Sequence, residues 1–205
     1  MTALRYGVFG GSFDPPHYGH LALAETARTQ LSLARVLFVP AGHPPHKPDL
    51  RLSAPEDRAA MVEAAIADNS AFSLSRVDLD RPGPHYTVDM LALLRGRHPE
   101  VTAWFFLMGE DSLHDLLTWR EPEEILQQAR LAVMPRMGKP ADMVLLSAEI
   151  PMLSDCLVWL DVPPVAFSAT ELRARVVKRL PLRYLVPPSV DAYIRDHKLY
   201  QAGIP

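Results

Sequence analysis

The sequence is poor in cysteine and has no long apolar run. Its 205 residues include a single cysteine, Cys156. One thiol excludes an internal disulfide and a CxxC metal or redox pair, so we expect a reducing, cytoplasmic setting. The most apolar run, residues 101–109, covers only about half of the roughly 20 residues that a membrane span needs, and we expect no signal peptide. The composition therefore predicts neither a membrane protein nor a secreted one.

An excess of positive charge is also missing. The chain has 21 Lys and Arg against 24 Asp and Glu, for a net charge of −3. This balance argues against a broad electrostatic footprint for nucleic acid or an anionic membrane, so an anionic ligand must be met by a few local groups. With 48% hydrophobic residues and no internal repeat, we expect one domain over residues 1–205. A homo-oligomer is compatible with this composition.

Strand-like and helix-like segments alternate along the chain. Short apolar runs that stop at glycine or proline predict strands, and apolar residues at helical spacing predict helices. Such alternation is typical of an α/β fold with a doubly wound, mainly parallel sheet, here with a small helical part at the C-terminus. The predicted strands are residues 6–9, 36–39, 72–79, 104–108, 131–134 and 157–162, and predicted helices include 87–97, 168–179 and 189–197.

Two S-x-x-E patterns and two tryptophans add local predictions. Ser53 with Glu56, and Ser168 with Glu171, have the spacing of a capping box, which predicts a helix start after each serine. Trp104 and Trp159 lie inside apolar runs, and we expect both in the core.

The residues best suited to chemistry follow predicted strands. A parallel sheet of this kind binds ligands outside the carboxyl ends of its strands. Gly10 and Gly11 follow the first strand, residues 43–47 (HPPHK) the second, and residues 109–111 (GED) the strand 104–108. We therefore expect these segments to converge on one rim of the sheet.

Residues 10–20, GGSFDPPHYGH, predict a phosphate site. Paired glycines let the backbone approach an anion, and the N-terminus of the following helix supplies N–H groups and positive potential. His17 and His20 can each donate a hydrogen bond to phosphate oxygens. Two other interpretations remain open: an ordinary glycine-rich turn with surface histidines, and zinc bound by His17 and His20 or by His43 and His46. Because no third ligand stands at a recognisable spacing, no metal site is predicted.

These motifs resemble those of the nucleotidyltransferase superfamily. Residues 17–20 (HYGH) are similar to its H-x-G-H signature, and residues 167–173 (FSATELR) are similar to its I-S-x-T-x-x-R motif. Further segments resemble bacterial nicotinate-nucleotide adenylyltransferases within that superfamily. They are residues 43–47 (HPPHK), 85–89 (HYTVD), 109–113 (GEDSL) with Trp119, and the C-terminal segment from residue 185 to residue 200.

The resemblance implies a Rossmann-like nucleotidyltransferase fold and a role for each matching residue. ATP and nicotinate mononucleotide are the implied substrates, with Mg²⁺ arriving on ATP and no nucleic-acid partner. The implied catalytic residues are His17, His20 and Arg173. The implied ATP-binding residues are Gly10, Gly11, Ser12, Lys47, Gly109, Asp111, Ser168 and Thr170, and the implied acceptor-binding residues are Tyr86, Thr87 and Trp119.

Several alternatives stay open from the residues themselves. Ser168 could serve only as a helix cap, Arg173 could be a solvated charge, and Trp119 could be a core residue. The acceptor could instead be nicotinamide mononucleotide or phosphopantetheine, or the chain could hold ATP without turnover as a regulatory module. The sequence also departs from the family pattern at Phe167 and His85, and at Ala41 and Gly42, where polar residues are common in the family. No side chain identifies itself as the reader of the nicotinate carboxylate.

Overall fold

A parallel sheet of six strands organises the protein. The computed structural model describes residues 3–42, 52–135, 140–162 and 168–201. All paired strands run parallel, in the order β3-β2-β1-β4-β5-β6. This confirms the predicted doubly wound α/β fold. The strands are β1 (Arg5–Gly11), β2 (Arg35–Pro40), β3 (Phe72–Leu74), β4 (Ala103–Gly109), β5 (Arg130–Met134) and β6 (Leu157–Trp159).

Helices cover both faces of this sheet. One face packs against α1, α2, α8 and α9 through side chains such as Leu23, Met61 and Leu172. The other packs against α3 to α7 through side chains such as Leu91 and Ile125. Because β1 and β4 are buried on both sides, they read as nearly continuous apolar runs. The helices are α1 (Tyr18–Gln30), α2 (Pro55–Ile66), α3 (Thr87–Arg97), α4 (Glu110–His114), α5 (Pro122–Gln128), α6 (Met143–Glu149), α7 (Leu153–Cys156), α8 (Ala169–Val177) and α9 (Pro188–Asp196).

The two predicted capping boxes have different outcomes. The one at Ser168 is confirmed: the Ser168 hydroxyl accepts from the Glu171 N–H at 3.3 Å, and the Glu171 carboxylate accepts from the Ser168 N–H at 2.7 Å. The one at Ser53 is wrong. Helix α2 begins at Pro55, whose fixed φ already suits the first helical position, and the Ser53 N–H instead donates to the Asp14 carboxylate at 3.0 Å.

Other predictions need smaller corrections. The strand predicted over 72–79 ends at Leu74, because the chain turns at residues 76–80 through N–H donation to the Arg76 carbonyl. The strand predicted over 157–162 ends at Trp159. Trp104 is buried as expected, but Trp159 is 43% exposed. Trp159 lies at the end of an edge strand, where only part of its ring finds a packing partner. Within the described ranges, no helix is both long and apolar enough to cross a membrane.

Candidate active site

The candidate site lies where the sheet changes its winding direction. Strand β1 lies between β2 and β4, so the connections on its two sides lead away in opposite directions and leave a crevice at the carboxyl ends. Gly10 and Gly11 close β1 at this edge, and Gly109 closes β4. Asp111 follows in the first turn of α4, and Ser12 follows β1. The structure thus brings together residues that lie about a hundred positions apart in sequence.

Two histidines form a stacked pair at the start of α1. The His17 and His20 rings are 3.7 Å apart between centroids and inclined by 22°. His17 is the N-cap of α1 and is buried, and its backbone is extended. The backbone N–H of His17 donates to Nδ1 of His20 at 3.2 Å. Since Nδ1 accepts this bond, the hydrogen of the neutral His20 ring sits on Nε2.

Aromatic side chains hold the His20 ring in place. The Phe13 ring meets it edge-on at 5.1 Å and the Phe9 ring at 5.7 Å between centroids. Edge-to-face contacts of this kind restrain ring orientation as well as burying area. The Nε2–H group of His20 is therefore a donor with a fixed direction.

The segment that resembles the I-S-x-T-x-x-R motif contacts the loop before the H-x-G-H signature. Arg173 extends from α8 and donates through Nη1 to the Asp14 carbonyl at 2.7 Å and through Nη2 to the Thr170 hydroxyl at 3.3 Å. Ser168 caps the same helix. Arg173 is therefore hydrogen-bonded to the loop between the glycines and the histidines. It is not simply a solvated charge on a basic helix.

Asp14 is a fully buried carboxylate beneath this loop. Its Oδ1 accepts from the Tyr200 hydroxyl at 2.5 Å and its Oδ2 from the Ser53 N–H at 3.0 Å. Burial, together with the negative charge of Asp14, raises the pKa of the Tyr200 phenol, so the phenol remains a proton donor. Tyr200, near the end of the described chain, thus helps to hold Asp14 and the loop after β1 in place.

Arg58 is an important residue that the sequence interpretation missed. It is 1% exposed, and its guanidinium donates to four backbone carbonyls, those of Ser12, Ala41, Gly42 and Ser53. Burial lowers the pKa of Arg58, and the nearby Asp14 carboxylate works in the opposite direction. The available signal was an arginine at position 58 on the apolar stripe 58, 61, 62, 65 of α2, where a solvated charge is not expected.

The predicted acceptor residues lie at the start of α3 and in the segment after α4. Tyr86 is the N-cap of α3 and Thr87 its first residue. Trp119, half-buried, meets the Phe106 ring of β4 edge-on at 5.9 Å. The neighbouring Arg120 guanidinium lies 4.8 Å from the centre of the Tyr86 ring, which brings the Tyr86 and Trp119 segments together.

Two departures from the family pattern contact each other. A Cβ at Gly42 would lie 2.5 Å from the His85 ring and 2.8 Å from the Asp78 carbonyl, so only glycine fits there. His85 is itself buried, with Nε2 3.1 Å from the Arg81 carbonyl. The larger side chain at 85 and the absent side chain at 42 are therefore complementary in volume. Asp78 pairs with Arg81 at 2.8 Å, yet burial raises the pKa of its carboxyl.

Some predicted positions lie outside the described residues. They include Lys47, His43 and His46 after β2, and Phe167 before α8. In the part of the chain that the structure describes, no group of three or more His, Cys, Asp or Glu is arranged to hold a metal ion.

The sheet order and the paired signatures at its switch point define a nucleotidyltransferase. In agreement, the cytidylyltransferase-like family profile matches residues 8–175. A probable nicotinate-nucleotide adenylyltransferase of Thermomicrobium roseum is 45% identical over 96% of this chain and 92% of its own length. One from Thermus thermophilus is 43% identical over 97% of this chain and 100% of its own. The chain belongs to the nicotinate-nucleotide adenylyltransferase family.

Solved structures show the same fold at lower identity. The nicotinic acid mononucleotide adenylyltransferase of Plasmodium falciparum, complexed with NaAD, superimposes with a TM-score of 0.78 at 20% identity, covering 96% of this chain and 97% of that one. The same enzyme complexed with APC gives a TM-score of 0.76 over the same shares. The predicted Rossmann-like nucleotidyltransferase fold is thereby confirmed.

Proposed function

We propose that this protein transfers the AMP moiety of ATP to nicotinate mononucleotide, a step of NAD biosynthesis. The products are nicotinate adenine dinucleotide (deamido-NAD) and pyrophosphate. The observation that carries the proposal is the stacked His17–His20 pair, whose donor direction is fixed beside the glycine end of β1. The similarity to probable nicotinate-nucleotide adenylyltransferases along nearly the whole chain supports the choice of acceptor.

The ATP phosphates would bind between the two signatures. Gly10, Gly11 and Ser12 would form the floor, with the N-terminus of α1 supplying positive potential. Thr170 and Arg173, together with the cap residue Ser168, would contact the triphosphate from α8. Gly109 and Asp111 would contact the ribose, since a carboxylate can accept from both hydroxyls. Lys47 would add a further cation near the phosphates.

The chemistry would be a single in-line displacement. An oxygen of the acceptor phosphate attacks the α-phosphorus, the bond from that phosphorus to the bridging oxygen breaks, and pyrophosphate leaves with the electron pair. The attacking oxygen is already anionic, so a general base contributes little, and the protein must align two anions and offset their repulsion. His20 Nε2–H would donate to an α-phosphate oxygen as charge gathers there, while His17 holds the His20 ring.

Magnesium would enter with the nucleotide. Mg²⁺ keeps several waters and binds phosphate oxygens readily, so it is expected as part of the Mg-ATP substrate. The Asp14 carboxylate is fully buried and already accepts hydrogen bonds from Tyr200 and Ser53, so no Mg²⁺ ligand is assigned to it.

The acceptor would bind beside α3. The Trp119 indole would stack on the pyridinium ring, an attraction that the positive charge of that ring strengthens. Tyr86 and Thr87 would line the same pocket at the N-terminus of α3.

Product analysis tests the proposal. The purified chain is incubated with ATP, Mg²⁺ and nicotinate mononucleotide, and the products are separated and weighed by mass spectrometry. We expect deamido-NAD and pyrophosphate in equal amounts, and formation of both at least about 10²-fold slower in a variant that carries both His17→Ala and His20→Ala. Hydrolysis of ATP without transfer, or equal turnover by the double variant, would overturn the proposal.

A further inference from the structure

We propose that Arg58 is a positioning residue for ATP binding: it fixes the backbone after β1 and β2 in the shape that the phosphates require. The inference rests on the proposed function, because it assigns ATP to this rim of the sheet. Arg58 itself is too buried to touch the nucleotide. Its effect would pass through the peptide groups that it holds.

One guanidinium joins three segments of the rim. From α2, Arg58 donates through Nη1 to the Ser12 carbonyl at 3.0 Å and to the Ala41 carbonyl at 2.6 Å. Through Nη2 it donates to the Gly42 carbonyl at 3.3 Å, and through Nε to the Ser53 carbonyl at 3.1 Å. The contacts therefore connect the loop after β1 with the chain on both sides of residues 43–51.

The arrangement depends on the charge and on the shape of arginine. Four carbonyl oxygens that converge on one buried point repel each other unless a cation lies among them. The guanidinium presents several donors in a fixed plane, whereas a lysine ammonium has three donors on a flexible stem. The buried Asp14 carboxylate compensates the positive charge, and the coulombic interaction between the two groups favours the charged form of Arg58.

The direction of these peptides matters for an anion. In a trans peptide the N–H points away from the carbonyl oxygen of the same plane. With the Ser12 and Ala41 carbonyls turned toward Arg58, the N–H groups of Phe13 and Gly42 face away from it. Without the guanidinium, carbonyl oxygens would be free to turn toward the crevice, where they would repel the triphosphate.

Isothermal titration of Mg-ATP without acceptor tests this inference on Arg58→Lys. We expect the dissociation constant to rise at least about tenfold, the loss expected when one backbone N–H of the rim no longer donates to the charged triphosphate. In steady state we expect a similar rise in KM for ATP, with KM for the acceptor within about twofold. The control is Leu33→Ala. Leu33 is buried just before the first residue of β2, at the end of the sheet opposite the carboxyl ends, so its removal should lower the melting temperature and leave ATP affinity unchanged.

Unchanged ATP affinity in Arg58→Lys, or an equal loss of affinity in Leu33→Ala, would overturn the inference. If Arg58→Lys does not fold, Arg58→Gln replaces it, and both are assayed in trimethylamine N-oxide, which strengthens folding. Failure of both variants to fold there would show a purely structural role and would also overturn it. Because the titration needs no turnover, its result is independent of whether wild-type protein transfers AMP to nicotinate mononucleotide.

Discussion

Replacement of His20 by alanine is the perturbation for which the structure sets the clearest expectation. The change removes the Nε2–H donor, and an oxyanion donor of this kind contributes about 2.7–4 kcal/mol to the transition state. We therefore expect kcat to fall about 10²- to 10³-fold. It also removes Nδ1, the acceptor for the His17 N–H at 3.2 Å, which should cost about 1 kcal/mol of folding stability.

Two further variants separate the catalytic loss from the structural one. His20→Asn keeps an acceptor near the position of Nδ1 but has no donor at the position of Nε2, so it should recover stability and leave kcat low. His98→Ala removes a histidine at the C-terminal end of α3, before β4, and should leave kcat unchanged. Pyrophosphate release measures the rates, and urea denaturation the stabilities. A folded His20→Ala protein with a kcat near that of wild type would refute the assignment.

Three further predictions concern the acceptor, the buried carboxylate and pH. Trp119→Ala should raise KM for the acceptor about tenfold and leave KM for ATP within about twofold, because the indole stacks on the pyridinium ring of the acceptor and not on ATP. Equal rises in both KM values would contradict this. Tyr200→Phe should cost about 1.5–3 kcal/mol in urea denaturation, since it removes a donor from buried Asp14, and an unchanged midpoint would count against it. Burial raises the pKa of Asp78, so its proton stabilises the folded state at low pH, and this contribution is lost as pH rises through the folded-state pKa. Asp78→Asn should therefore gain stability relative to wild type as pH rises above the usual pKa range of a carboxyl group, and parallel pH profiles would disprove it.

The parts of the fold that follow from local pattern could be predicted. Strands β1, β2, β4 and β5 are buried on both faces and end at glycine or proline, or in a loop, so their apolar runs are visible in the sequence. Because these strands run parallel, their carboxyl ends lie at the same edge of the sheet, which explains why the glycines and histidines meet at one rim. The Ser168 capping box could be predicted for the same reason, since it involves only four consecutive residues.

The parts that depend on distant contacts could not be predicted. Arg58 lies on the apolar stripe of α2, but its partners are not visible in the sequence, because the Ser12 and Ala41 carbonyls are 46 and 17 positions away. Tyr200 and Asp14 are 186 positions apart, and no local pattern indicates their hydrogen bond. The Ser53 prediction failed because the N–H of that residue is taken by the Asp14 carboxylate and Pro55 already begins the helix.

Competition between acceptors tests the central claim most directly. Equal concentrations of nicotinate mononucleotide, nicotinamide mononucleotide and phosphopantetheine are mixed with limiting ATP and Mg²⁺, and the adenylylated products are quantified by mass spectrometry. We expect deamido-NAD to be the main adenylylated product and the amount of pyrophosphate to equal the sum of all adenylylated products. Dominance of NAD or dephospho-coenzyme A, or ATP bound with no transfer to any acceptor, would contradict it.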